Sequence, residues 1–217
     1  MLVAKSDRLG RIYSGPEIGR LNDEIHHSVF TQDLSCPVCG KRINYNDVPA
    51  DRPFEYFQHA DGSPDCFETD SVSDAHRIAT EITLKALHNR IREVTGEPVE
   101  IDVERWVGVR PNFIITDIRV TSPLQVAAEV YYKAGRLALG RKLDTMFENN
   151  YRTYLVFHTD GCHDVDRVEQ YIRRVATLRV GRFHSETLEV TLGDLFSEQQ
   201  IELTQTNRDL LPDYIIR

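Results

Sequence analysis

The sequence predicts an α/β fold built on one mixed sheet flanked by helices and preceded by a small metal-clipped module; three observations support this. A Cys-x-x-Cys pair, Cys36 and Cys39, lies in a loop-rich stretch over residues 31–70. A long helical period begins after Ser71. Three strand-like segments follow, then helix, strand, helix and strand, an order that implies strands sharing a sheet with helices packed on it. The chain therefore divides into residues 1–70, short strands with a zinc-binding module, and residues 71–217, the α/β core.

The elements follow in order. "LVAKSDRLGRIYSGPEI" reads as two short strands around a Gly-containing turn, because Leu2, Val3, Ile12 and Tyr13 flank the polar "SDRLG". From 31 to 70, Pro37, Gly40, Pro49, Pro53, Gly62 and Pro64 interrupt every apolar run, so the segment needs a clip. Ile78, Ile82, Leu84, Leu87 and Ile91 then recur near the helical period, with Ser73 placed to cap the helix and Gly96 to end it. "PVEIDVERW", "NFIITDIRV" and "LQVAAEVYY" are strands, "LALGRKLDTMFENN" a helix and "RTYLVFH" a strand. "DVDRVEQYIRRVATL" is a second amphipathic helix, its basic run continuing through "RVGRFH", and "ETLEVTL" is a last strand before a polar tail. No internal repeat or low-complexity segment is visible.

Composition narrows the function classes. At 217 residues with net charge −8, the chain does not coat nucleic acid through a global positive field, although a local basic channel remains open. No apolar run approaches the roughly 20 residues that span a bilayer, and no basic-then-apolar leader opens the chain, so a soluble, cytoplasmic protein without membrane partners is expected. The excess of arginine over lysine and the abundant loop aspartate resemble proteins of salt-loving organisms.

Four cysteines are too few for a disulfide scaffold, and a Cys-x-x-Cys-Gly knuckle in a reducing compartment points to zinc. "YFQHADGSPDC" offers His59 and Cys66 as the second pair, giving a closed Cys₃His site of the structural kind. Asp61 and Asp65 read as solvated loop charges, and Cys162, beside His163, lacks a partner pair.

Taken in order, "SCPVCGKRI", "FEYFQHADG", "SVSDAHRIATEITLKAL", "RPNFIITDI" and "VAAEVYY" resemble the competence protein CoiA family over residues 1 to about 160. The resemblance implies a zinc-binding segment before a restriction-endonuclease-like, PD-(D/E)XK type core that processes DNA. It places Ser73 and His76 at the start of the first core helix, with Thr80 where lysine is usual and Glu81 beside it. Arg110, Pro111 and Asn112 match an Arg-x-Asp, so an amide stands where the acid belongs. Glu129 and Tyr131 match a glutamate followed two residues later by glutamine or lysine.

Hydrolysis of this kind needs Mg²⁺ or Mn²⁺ held by carboxylates. An amide keeps an oxygen ligand but loses the charge, and tyrosine supplies no cation. Asp117 is an odd number of residues from Asn112, so alternation turns it to the opposite face unless a bulge intervenes. Glu104 and Lys133 are further donors that could reach the site. Glu129 is the most suggestive acid, because an unpaired carboxylate inside an apolar strand is costly. The expected site is Glu129 with Asn112 or Asp117, and Glu81 or His76 from the helix.

Arg110, Arg141 and Lys142 are the expected DNA contacts, within a half of the chain also carrying Arg136, Arg152, Arg173, Arg174, Arg179 and Arg182. Two functions compete: a divalent-metal-dependent nuclease with a displaced site, and a catalytically inactive protein that binds DNA or joins other proteins in a DNA-processing or assembly complex. Asn112 is the residue that separates them.

Overall fold

The computed structural model describes residues 1–20, 33–46, 48, 54–67, 73–109, 112–131, 136–158 and 179–192. The chain divides into two compact units, Met1–Ile101 and Asp102–Arg217.

In the first unit β1 (Val3–Ser6) pairs antiparallel with β2 (Arg11–Ser14), Val3 opposite Ser14. The turn closes at Gly10, whose φ of +61° suits a residue without Cβ and whose N–H donates to Ser6 O at 2.7 Å. After helix α1 (Gly15–Gly19), β3 (Leu34–Ser35) adds to the other side of β1, giving the order β2-β1-β3. Strands β4 (Ile43–Asn46) and β5 (Tyr56–His59) form a separate antiparallel pair, Ile43 opposite His59.

Helix α2 (Asp74–Thr95) has the ends that its sequence predicts. Ser73 Oγ accepts the His76 N–H at 3.3 Å, and Gly96 takes a left-handed φ of +72°. Ala79, Ile82, Leu84, Leu87 and Ile91 are buried, and the helix packs on β1 and β2. Asn89 acts as a strand substitute for β2: its Nδ2 donates to Ile12 O at 2.7 Å and its Oδ1 accepts the Ile12 N–H at 2.9 Å. The boundary at residue 70 and this division differ chiefly by α2, which in the structure covers the face that two four-residue strands cannot bury alone.

The second unit is mixed α/β. Its six-stranded sheet has the order β11-β10-β9-β8-β7-β6. Strand β6 (Glu100–Val109), whose first two residues belong to the first unit, lies beside β7 (Asn112–Ser122). Strand β8 (Val126–Tyr131) runs antiparallel to β7 and parallel to β9 (Arg152–His158), with helix α3 (Arg136–Glu148) as the crossover. Strand β10 (Arg179–His184) is parallel to β9, and β11 (Glu189–Leu192) antiparallel to β10. All six residues of β8 are buried, as expected for an interior strand covered on both faces.

Helix α3 packs on β7 and β9, where Met146 meets Val107, Ile114 and Ala127, with Tyr151 against them. Gly108 permits this approach. Its φ is +92°, and a Cβ there would lie 2.4 Å from Asn112 O and 3.1 Å from Thr145 Cγ2.

One element corrects the sequence reading. "RVGRFH", taken as the end of a basic helix, is β10: Val180 and Phe183 are buried, and pairing with β9 overrides the local arginine content. The amphipathic helix expected over "DVDRVEQYIRRVATL", the polar tail, and Arg110, Lys133, Cys162, His163, Arg173 and Arg174 lie outside the described residues. Among the described residues no helix is long and apolar enough to cross a membrane.

Candidate metal centre and carboxylate site

The four predicted zinc ligands come together. One ligand atom from each of Cys36, Cys39, His59 and Cys66 lies within 4.8 Å of the others. Among the described residues this is the one group of three or more His, Cys, Asp or Glu side chains arranged to hold a metal ion. The knuckle is set by main-chain bonds, Gly40 N–H to Cys36 O at 2.9 Å and Cys36 N–H to Lys41 O at 2.7 Å, with Gly40 at φ +71°. Strand β5 delivers His59 to the same point.

His59 Nε2 lies 3.4 Å from Cys39 Sγ and 3.9 Å from Cys66 Sγ. A tetrahedral zinc with ordinary bond lengths sets sulfur and nitrogen about 3.6 Å apart, so these are the edges of a coordination polyhedron. His59 Nδ1 faces Ser63 O at 3.2 Å; donating its proton there leaves the Nε2 lone pair turned to the sulfurs. Burial pushes the Cys36 thiol up. Cys39 is also raised by burial, but the Lys41 backbone N–H and the neighbouring thiols outweigh this and hold it below the ordinary thiol range. These four residues form a candidate zinc site.

The two aspartates near it are not ligands. Asp61 is an exposed loop charge, paired with Lys41 at 2.9 Å. Asp65, expected to be solvated, is instead an anchor: it accepts the Phe67 N–H at 3.0 Å, pairs with the Met1 amino group and lies 4.0 Å from Arg77. The residue before the last candidate ligand is thereby tied to Met1 and α2.

Glu81 shares this network. It is fully buried within the first unit, accepts the Leu2 N–H, and pairs with Arg77 at 3.1 Å. Burial pushes its carboxyl up to about 7 against the pull of the Met1 amino group. Its contacts fasten strand β1 to α2. His76 lies half-buried in the first turn of α2, its N–H engaged by the Ser73 cap.

In the second unit Asp117 lies where the β7–β8 ladder gives way to side-chain contacts. The regular β7–β8 ladder runs from Val120 opposite Val126 to Ile118 opposite Ala128. Beyond it side chains take over: Thr116 Oγ1 contacts Ala128 O at 3.1 Å and Ile118 O at 3.2 Å, and the Val130 N–H donates to Asp117 Oδ2 at 2.7 Å. Ile114 packs beneath α3, yet Asp117, an odd three residues on, acts on Glu129 and Lys142 beneath the same helix. Burial still alternates along β7 from Ile114 to Val120, while past Ile118 side chains make the contacts to β8.

Asn112 is exposed at the start of β7, five positions and about 17 Å of strand from Asp117. Asn112 therefore stands apart from Glu129, five residues along the strand from Asp117. Asp117 is the carboxylate beside Glu129.

Glu129 is 4% exposed. Its Oε2 accepts Lys142 Nζ at 2.5 Å, while Oε1 is buried without a hydrogen-bond partner. Burial, then the Asp117 charge, push its carboxyl up to about 8, against the pull of Lys142. The Lys142 ammonium, which burial would lower, is held above its usual range chiefly by Glu129 and then Asp117. Lys142, assigned from sequence to DNA contact, is therefore part of the carboxylate site. Its "GRKLD" context carries no signal for this, because the pairing depends on how α3 crosses β8. Tyr131 is buried, its ring edge-on to Phe157 at 5.8 Å. Arg141 is exposed on α3.

Neither a protein-family model nor a curated protein matches the chain.

Proposed function

We propose that this chain is a divalent-metal-dependent phosphodiesterase acting on DNA, with a restriction-endonuclease-like core similar to the CoiA family and a structural zinc on Cys36, Cys39, His59 and Cys66. One observation carries the reading. Adjacent strands bring Asp117 and Glu129 together, a lysine reaches them from the next helix, and one buried Glu129 oxygen has no partner.

The donor set suits Mg²⁺ or Mn²⁺. Two carboxylate ligands completed by water and substrate phosphate are ordinary for Mg²⁺. A buried carboxylate oxygen without a hydrogen-bond partner, beside a second carboxylate, makes a place that a further cation would stabilise. Asp117 and Glu129 would hold a divalent ion there, and such an ion would supply an activated water and neutralise charge on the leaving oxygen.

The protein's own groups do the rest. Val130 N–H fixes the Asp117 carboxylate. Lys142 supplies the cation that Tyr131 cannot. Arg141 is the exposed cation for a DNA phosphate, joined in the proposal by Arg110. A reducing, cytoplasmic location suits the three free thiols of the zinc site.

A second reading has its own support: Lys142 already occupies Glu129 Oε2, the oxygen a metal would take. On that reading the scaffold binds DNA or other proteins without catalysis. The discriminating experiment is cleavage of labelled single- and double-stranded DNA with Mg²⁺ or Mn²⁺, at low and high salt. Cleavage by the natural sequence that disappears in Glu129→Gln and Asp117→Asn, and is unchanged in Asn112→Asp, is expected. Silence in the natural sequence and in Asn112→Asp would transfer the assignment to the binding reading. Activity gained only in Asn112→Asp would refute Asp117 as the site acid.

A further inference from the structure

Strand β6 loses its alternation at Glu104, Arg105 and Trp106, which are exposed in succession between buried Val103 and Val107. Trp106 is 45% exposed, and its indole lies flat on Phe113 of β7, the ring centroids 4.2 Å apart and the planes 5° from parallel. Ring pairs in the core of the same unit are tilted instead, Tyr131 on Phe157 by 69° and His158 on Phe183 by 62°. Val109 and Ile115, on the same two strands, are exposed as well. Apolar and aromatic side chains gathered at a surface in this way mark a place where a partner docks.

The stack is held in place. Arg119 Nη1 donates to Trp106 O at 2.8 Å, and its Nη2 donates to Asp102 Oδ2 at 3.0 Å. Arg105 lies 3.7 Å from the same carboxylate with its side chain 55% exposed. Two guanidiniums thus share one acid, and the more exposed of them stands next to the indole in the chain. Glu104, also exposed, keeps the run near neutral, so stacking would supply more of the affinity here than charge.

A flat aromatic surface beside an exposed guanidinium suits a nucleotide, the base on the ring and the phosphate on the cation. Only an unpaired base has a face to offer, because in a duplex the faces are covered by neighbouring pairs and the edges alone are open. Phe113 precedes Asp117 by four positions on β7, about 13 Å of strand, so a polynucleotide held there would reach the carboxylate site within a few nucleotides.

We infer that the Trp106–Phe113 stack is a platform for an unpaired nucleobase, with Arg105 meeting the adjoining phosphate, which gives the chain a preference for single-stranded over duplex DNA. The inference rests on the proposal that this chain acts on DNA.

Trp106 is the one tryptophan in the sequence, so its emission reports contact at this position alone. The zinc-loaded full chain, without added Mg²⁺ or Mn²⁺, is titrated with oligothymidylate and with a duplex of equal length, and affinity is read separately from the anisotropy of labelled DNA. Saturable quenching by the single strand is expected, with duplex binding at least about ten-fold weaker. Trp106→Leu and Phe113→Leu keep apolar bulk and should each weaken single-strand binding about ten-fold, whereas Trp106→Phe, which keeps a ring, should lose no more than about three-fold. The Trp106→Leu deficit should be the same at low and high salt, and an Arg105→Gln deficit should shrink as salt rises. Zinc content and circular dichroism verify folding.

Single-strand binding that leaves the emission unchanged and is equal in Trp106→Leu would overturn the platform while leaving the DNA reading in place. Equal losses for single strand and duplex would overturn the preference. Sedimentation showing a dimer that Trp106→Leu dissolves, with no quenching by DNA, would assign the stack to a second copy of the chain. Absence of binding to either DNA would remove both the inference and the DNA reading beneath it.

Discussion

Replacing Glu129 by glutamine should change how stability depends on pH, and the size of the change follows from the site. Burial and the Asp117 charge raise the folded-state carboxyl from 4.5 to about 8. Above pH 4.5 the unfolded chain releases this proton while the folded protein keeps it. The stabilisation is therefore fully present below the unfolded value and is lost as pH rises through the folded one. One proton of difference is about 1.4 kcal/mol per pH unit, so between about pH 6.5 and about pH 8 the natural sequence should lose roughly 2 kcal/mol through this group. Glutamine keeps the shape and does not titrate. Urea unfolding of both proteins across this window measures the difference, in which slopes common to both, such as that of Glu81, cancel. The variant should gain about 2 kcal/mol relative to the natural sequence as pH rises. Parallel curves would refute the claim that Glu129 is held protonated by its surroundings.

Other perturbations probe the rest of the molecule. Chelation of the metal, or Cys39→Ser, should open the stretch from Cys36 to Phe67, because structural zinc contributes about 10–16 kcal/mol against a domain stability of about 5–15; zinc stoichiometry and protease cleavage within that stretch check this, and zinc-free protein with unchanged cleavage would contradict it. Asn89→Ala removes both bonds to Ile12 and should cost about 2 kcal/mol in urea unfolding, with Asn89→Asp, which loses only the donor, falling between. Gly108→Ala should destabilise the second unit by about 2–4 kcal/mol, since its Cβ would meet the Asn112 carbonyl at a φ of +92°. A melting temperature equal to that of the natural sequence would show that β6 and α3 can separate there.

Some of this was legible in the sequence, for identifiable reasons. The ends of α2 could be read because Ser73 and Gly96 act through their own backbone neighbours, without reference to tertiary structure. The Cys36, Cys39, His59 and Cys66 cluster could be read because sulfur and imidazole at knuckle spacing have few other uses. Glu129 stood out as a charge in a run that is otherwise apolar. The orientation of Asp117 could not be read, because alternation assumes an unbroken ladder and here Thr116 and Asp117 replace main-chain partners with side-chain ones. The pairing of Lys142 with Glu129 and the burial of Glu81 depend on how helices cross strands, which no local pattern encodes. Strand β10 was hidden for a related reason: its identity comes from its neighbour β9.

The order of the candidate zinc ligands along the chain has a consequence for synthesis. The polypeptide leaves the ribosome from its N-terminus, and the fourth ligand, Cys66, is made only after β1 to β5 are complete. Helix α2, carrying the Asn89 that closes β2 and the Arg77 and Glu81 that fasten Asp65 and Leu2, emerges later still. Ion capture can thus precede helix docking, and the two are joined through Asp65, the neighbour of the last ligand. A nascent chain that meets its metal late would present α2 with an unanchored partner surface, so metal supply during translation, and not only afterwards, should govern how much protein matures.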